Sequence, residues 1–88
     1  MKPSLEELHT RLQQYFPDAQ IQLRDDSHHH IGHAGATGGA GHFTVEMASR
    51  RFDGLSTVAR HRLVYDALAD WMPGRIHALR IRANTPHQ

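Results

Sequence analysis

His42-Phe43-Thr44-Val45-Glu46-Met47 is the stretch on which the fold turns. Apolar and polar residues alternate in it, so it reads as a strand with Phe43, Val45 and Met47 on its buried face. Downstream, Ser49 to Leu55 reads as a turn region around Phe52 and Gly54. Ser56 or Thr57 can cap a second helix. That helix is expected to run to about Trp71, with Val58, Leu63, Val64, Leu68, Trp71 and Met72 supplying apolar contacts, and Pro73-Gly74 ends it. A last strand covers Ile76 to Ala83, and Asn84 to Gln88 is expected to fray. Upstream of the central strand lies a loop, Asp25 to Gly41, that holds five of the seven glycines and shows neither helical nor strand periodicity. A loop of that length in a small domain points to function or disorder. Before it, Gln20 to Arg24 reads as a strand with Ile21 and Leu23 on one side. The first element is a helix. Ser4 and Glu7 make a capping box. Leu5, Leu8, Leu12 and Tyr15 or Phe16 form its apolar face, and Pro17 stops it.

The order is thus α-β-β-α-β. The first two strands can pair as a hairpin, and the second helix is a right-handed crossover that returns the third strand parallel to the second. The expected class is α+β: a three-stranded mixed sheet with helices on one face. With 88 residues, the chain is expected to be one domain over 1–88.

Composition narrows the function classes. Hydrophobic content is 39% and charged content 22%, ordinary for a globular protein. No run approaches a membrane span, and the first residues lack the apolar stretch of a secretory signal, so a cytoplasmic protein is expected. The absence of cysteine excludes disulfides, thiolate chemistry and all-cysteine metal sites. Nine histidines stand out, since imidazole is a common metal ligand near neutral pH. The net charge of +1 is uneven: residues 1–49 carry three basic and six acidic groups, residues 50–88 seven basic and three acidic. That asymmetry suggests an acidic partner for the C-terminal half or simply a solvated surface.

Several segments together resemble the BolA family. They are Asp26-Ser27-His28 with Gly32-His33-Ala34-Gly35, Gly41-His42-Phe43, Ser49 to Gly54, Arg60-His61-Arg62-Leu63-Val64-Tyr65 and Ile76-His77-Ala78-Leu79. The resemblance runs from Leu5 to Pro86 and is most specific in the last two segments, eleven residues apart. It implies a fold related to class II KH domains. It also implies a monothiol glutaredoxin as partner and a [2Fe–2S] cluster shared with it, the glutathione being supplied through the glutaredoxin. The family setting is iron–sulfur trafficking and iron regulation, and some members are described as DNA-binding regulators. Two ligand positions come with the family: a histidine or cysteine in the loop between the first two strands, and the histidine that opens the last strand. The latter carries over onto His77. The loop offers His28, His29, His30 and His33, of which His33 and His30 are the candidates.

Read from the residues alone, His77 is a half-buried histidine at the edge of an apolar face shared with Leu79 and Ile81, and the loop histidines belong to a polar loop. The resemblance turns both toward iron. A chain with histidines and no thiol can complete such a cluster only if the partner brings the sulfur ligands. His42 is expected to close the loop by hydrogen bonding, His61 to lie on the helix surface, and His9 and His87 to be exposed. Bound to nothing, the chain is expected to be a monomer or weak homodimer.

The rival reading is nucleic-acid binding, with Arg50, Arg51, Arg60, Arg62, Arg75, Arg80 and Arg82 on phosphates. Arg80 and Arg82 share one face of the last strand. The formal Gly-x-x-Gly spacings at 32–35 and 35–38 lie between strands, unlike the clamp of a KH domain. Catalysis is not expected: no activated nucleophile is evident, and adjacent Asp25, Asp26, Ser27 and histidines rarely converge on one substrate. A zinc site from His29 and His33 would need a helix, against which the glycines argue.

Overall fold

A computed structural model describes residues 1–30 and 39–87, with backbone only for His29 and His30. The elements are α1 (Leu5–Tyr15), β1 (Gln20–Asp25), β2 (Gly41–Ala48), α2 (Thr57–Ala67) and β3 (Ile76–Asn84), with short 3-10 turns at Ser27–His30, Arg50–Phe52 and Ala69–Trp71. The sheet order is β1-β2-β3, with β1 antiparallel and β3 parallel to β2. The expected α+β class and mixed sheet are therefore what the chain forms.

Local signals account for most element ends. The Ser4 hydroxyl accepts from the Glu7 amide at 3.0 Å and the Glu7 carboxylate from the Ser4 amide at 3.1 Å, so both halves of the capping box form. Ser56, not Thr57, caps α2, its hydroxyl accepting from the Ala59 amide. The second helix ends earlier than expected, at Ala67, and tightens into the 3-10 turn Ala69–Trp71. Met72 is extended, as the residue before a proline prefers. Asn84 is not frayed: it closes β3, its carbonyl accepting from the Ser49 amide at 3.0 Å.

The core lies between one face of the sheet and the two helices. Leu8, Leu12, Phe16, Phe43, Val45, Met47, Phe52, Val64, Leu68 and Ile76 are all buried. Two expected core positions are not: Leu5 is 39% exposed and Val58 61%, each on the solvent side of its helix. Phe16 takes the place of Tyr15, its ring centroid 5.3 Å from that of Phe52. Two polar clamps tie the turns together. The Asp18 carboxylate accepts from the Ser49 hydroxyl and the Arg50 amide, each at 2.8 Å. These donors, the Arg50 amide first, hold the Asp18 carboxyl below its usual range. At the outer strand, the Tyr65 hydroxyl donates to the Leu79 carbonyl and Arg60 to that of Ala83, at 3.3 and 3.0 Å.

Phe52→Ala is expected to lower stability by about 3–5 kcal/mol, the range for emptying a fully buried aromatic site. Urea unfolding followed by circular dichroism measures it; a loss below about 1 kcal/mol would show that the core can collapse around the gap.

Candidate functional site

At one end of the sheet the chain enters and leaves the histidine-bearing loop, and β3 begins there too. Six hydrogen bonds hold the loop's first turn. The Asp25 carboxylate accepts from the Lys2 ammonium at 2.7 Å and the Ser27 amide at 2.9 Å. The Asp26 carboxylate accepts from Arg24 at 2.7 Å and from the Thr44 hydroxyl. The Ser27 hydroxyl accepts from the His42 amide at 3.1 Å, while the His42 carbonyl accepts from the Asp26 amide at 2.7 Å. His42 thus closes the loop through its backbone, as expected.

The far end of the loop is pinned at Gly41. Its amide donates to the Arg75 carbonyl at 2.9 Å. A Cβ there would come within 2.4 Å of the Phe43 ring and 2.9 Å of the Lys2 Cβ, so only glycine fits. Arg75 in turn reaches the Met1 carbonyl at 3.1 Å and the Glu7 carboxylate at 3.2 Å. The first two residues therefore lie against the base of the loop.

Next to Gly41 the parallel ladder skips a residue. Gly41 is opposite Ile76, but His42 is opposite Ala78, so His77 is the extra residue of a bulge. This corrects the expectation that His77 shares the core face of Leu79 and Ile81 at half burial. Counted back from Ile81 by alternation, His77 would face inward and Ile76 outward; the bulge reverses this. Ile76 is buried in the core and His77 is exposed.

The bulge also brings together two histidines that alternation would place on opposite faces. His42 lies on the face away from Phe43, yet it is only 7% exposed. Its ring centroid is 5.1 Å from that of His77, with the planes tilted by 49°. The 3-10 turn Ser27–His30 packs against β2 beside it. Of the other candidates, His33 lies outside the described residues, and His30 is described in its backbone only, as the last residue of that turn. Among the described residues there is no cluster of three or more metal-ligating side chains. An exposed imidazole such as that of His77 can serve as one ligand to a metal, but the described residues supply no full set.

Beside the histidine pair, Arg24, Asp26, His42, Ala78 and Arg80 line a groove on the open face of the sheet. The arginines proposed for nucleic acid are largely engaged in the fold. Arg50 pairs with Asp18 at 3.7 Å. Arg51 donates to the Tyr15 carbonyl and lies over the Phe16 ring. Arg60 donates to the carbonyls of Leu55 and Ala83, and Arg75 stacks on Trp71 while pairing with Glu7. Arg50 and Arg51 stay exposed despite these contacts, as do Arg62, Arg80 and Arg82. The proximity of His42 to His77 was not readable from the sequence; Gly41 at a strand start was the one available sign of a bulge.

The chain is similar to known proteins over most of its length. A family described as BolA-like protein matches residues 12–88. BolA-like protein 1 of Homo sapiens is 43% identical over 81 residues, which is 92% of this chain and 57% of that protein. The same protein of Pongo abelii gives the same identity and coverage. The chain therefore spans little more than half the length of these relatives. Among solved structures, the BolA domain of SufE1 from Arabidopsis thaliana superposes with a TM-score of 0.81 at 35% identity, covering 93% of this chain and 91% of that one.

Partial burial alone would raise the Asp25 carboxyl; the hydrogen bonds from Lys2 and Ser27 outweigh it and hold it down to about 2, against 3.8 for a free side chain. A depressed carboxylate stabilises the fold above its unfolded pKa, and that contribution is lost as pH falls through the folded one. Asp25→Asn is therefore expected to cost about 1–2 kcal/mol at pH 7, allowing for the solvent exposure of the pair. Its stability should also fall less steeply than that of the unsubstituted protein between pH 4 and pH 2. Parallel slopes in urea titrations across that window would remove the clamp.

Proposed function

The chain belongs to the BolA family, and on that premise we propose that it is an accessory factor that docks on a monothiol glutaredoxin and adds histidine ligation to a bridging [2Fe–2S] cluster, in iron–sulfur trafficking or iron regulation in the cytoplasm. His77 is the ligand of this proposal, with His33 or His30 as the second histidine. The observation that carries it is the bulge at the start of β3. It exposes His77 at the end of the sheet where the histidine-bearing loop begins and ends.

The donor chemistry fits. A [2Fe–2S] centre in which histidines hold one iron and sulfur ligands the other is a known arrangement. This chain offers imidazole and no thiolate, so the glutaredoxin and its glutathione would supply the sulfur. Such a cluster supplies a transferable iron–sulfur unit whose stability depends on its ligands. The chain's own part is to present His77 at the surface and to anchor both ends of the loop, at Asp25 to Ser27 and at Gly41. No residue of the chain is assigned a catalytic role.

A second reading, DNA binding by the C-terminal half, draws on the exposed Arg62, Arg80 and Arg82. Arg60 and Arg75 are half-buried and tied to the fold, so that surface is sparser than the sequence suggests.

Anaerobic reconstitution of the chain with a monothiol glutaredoxin, glutathione, iron and sulfide is the test. The expected product is a coloured one-to-one heterocomplex whose visible spectrum differs from that of the glutaredoxin's own cluster. His77→Ala should keep the far-ultraviolet circular dichroism and change that spectrum; an unchanged spectrum strikes His77 from the ligands. No heterocomplex at all would sink the proposal and turn attention to salt-dependent DNA binding.

A further inference from the structure

An exposed histidine samples several χ1 and χ2 rotamers, and a ligand that wanders must be ordered when the metal arrives. His77 is exposed, but one side of its ring meets a buried neighbour, His42. We infer that His42 is a positioning residue: its buried ring braces the imidazole of His77 in one orientation at the surface. This rests on the reading of His77 as a ligand and adds to it the residue that holds the ligand still.

Three observations carry the inference. The first is the contact itself, with centroids 5.1 Å apart and planes tilted by 49°, inside the range of favourable aromatic pairs. The second is the rigidity of the brace. The amide and carbonyl of His42 are both bonded to the Asp26-Ser27 turn, at 3.1 and 2.7 Å. Its neighbour Gly41 is tied by its amide to the Arg75 carbonyl at 2.9 Å. The third is the place of His42 in the sheet. On the outward face of β2 it is buried, while Glu46 on the same face is exposed. Among the described residues His42 and Ser49 are the two buried polar side chains. The bulge that exposes His77 is the same irregularity that sets it beside His42. Ligand orientation by a residue behind the ligand is a general requirement of metal sites, and here the chain meets it with a ring rather than a carboxylate.

The decisive measurement needs neither metal nor partner. In the free chain, side-chain couplings and ring-to-ring Overhauser effects report the His77 rotamer by NMR. One dominant rotamer with a cross-peak to the His42 ring is expected. His42→Phe, which keeps a ring, should retain that rotamer; His42→Ala and His42→Leu should give averaged couplings. Leucine fills the space that alanine empties, so it keeps the test readable if the alanine variant unfolds. Averaged couplings in the unsubstituted chain or in His42→Phe, or a fixed His77 in His42→Leu, would overturn the inference. In the reconstituted heterocomplex, His42→Leu should change the visible circular dichroism of the cluster while His42→Phe leaves it near that of the unsubstituted chain. Failure to form any coloured complex would count against the proposed function alone, since the NMR result stands by itself.

Discussion

Strand β2 is hydrogen-bonded on both sides, antiparallel to β1 and parallel to β3, and everything else in the domain takes its place from that double pairing. A strand with two neighbours has no freedom of register: a slip of one residue would turn Phe43, Val45 and Met47 out of the core. The antiparallel side requires only a loop. The parallel side requires a crossover, which α2 supplies, and α1 packs on the same face as that crossover helix. The opposite face is left open, and the two ends of the sheet become unequal. One end collects the turns clamped by Asp18 and Ser49. The other collects the loop, the start of β3 and both histidines of the described site.

The regular parts of this arrangement were legible because they follow from local chemistry. Alternation marked Phe43, Val45 and Met47, the Ser4–Glu7 box marked the start of α1, and Pro17 its end. The misassigned positions share a cause. Leu5 and Val58 are apolar, occur near helix starts and match helical spacing, but spacing defines a stripe without saying how wide it is. Only the shape of the sheet beneath decides which edge of the stripe is covered. Tyr15 and Phe16 competed for one place, and the residue without a hydroxyl took it.

The site was legible in identity but not in arrangement. Resemblance singled out His77, yet its exposure follows from a skipped residue in a parallel ladder, which no period of two can encode. Parity sends His42 and His77 to opposite faces; one extra residue puts their rings 5.1 Å apart. The arginines show the reverse. Their number suggested a surface for polyanions, but most are spent on carbonyls, carboxylates and aromatic faces within the domain. An arginine count cannot separate a binding patch from a set of internal ties, because the same planar donor serves both.

The outer strand β3 is long for a sheet edge, spanning Ile76–Asn84. Successive carbonyls of a strand point to opposite sides. The Asn84 carbonyl turns toward β2, so those of Ala83 and Leu79 turn away from it, and these are the two that Arg60 and Tyr65 occupy. A fourth strand arriving from another molecule would find these acceptors taken, and Arg80 and Arg82 of a second copy would meet their own kind. The crossover helix that makes the parallel sheet possible thus also covers two of the acceptors on its outer edge.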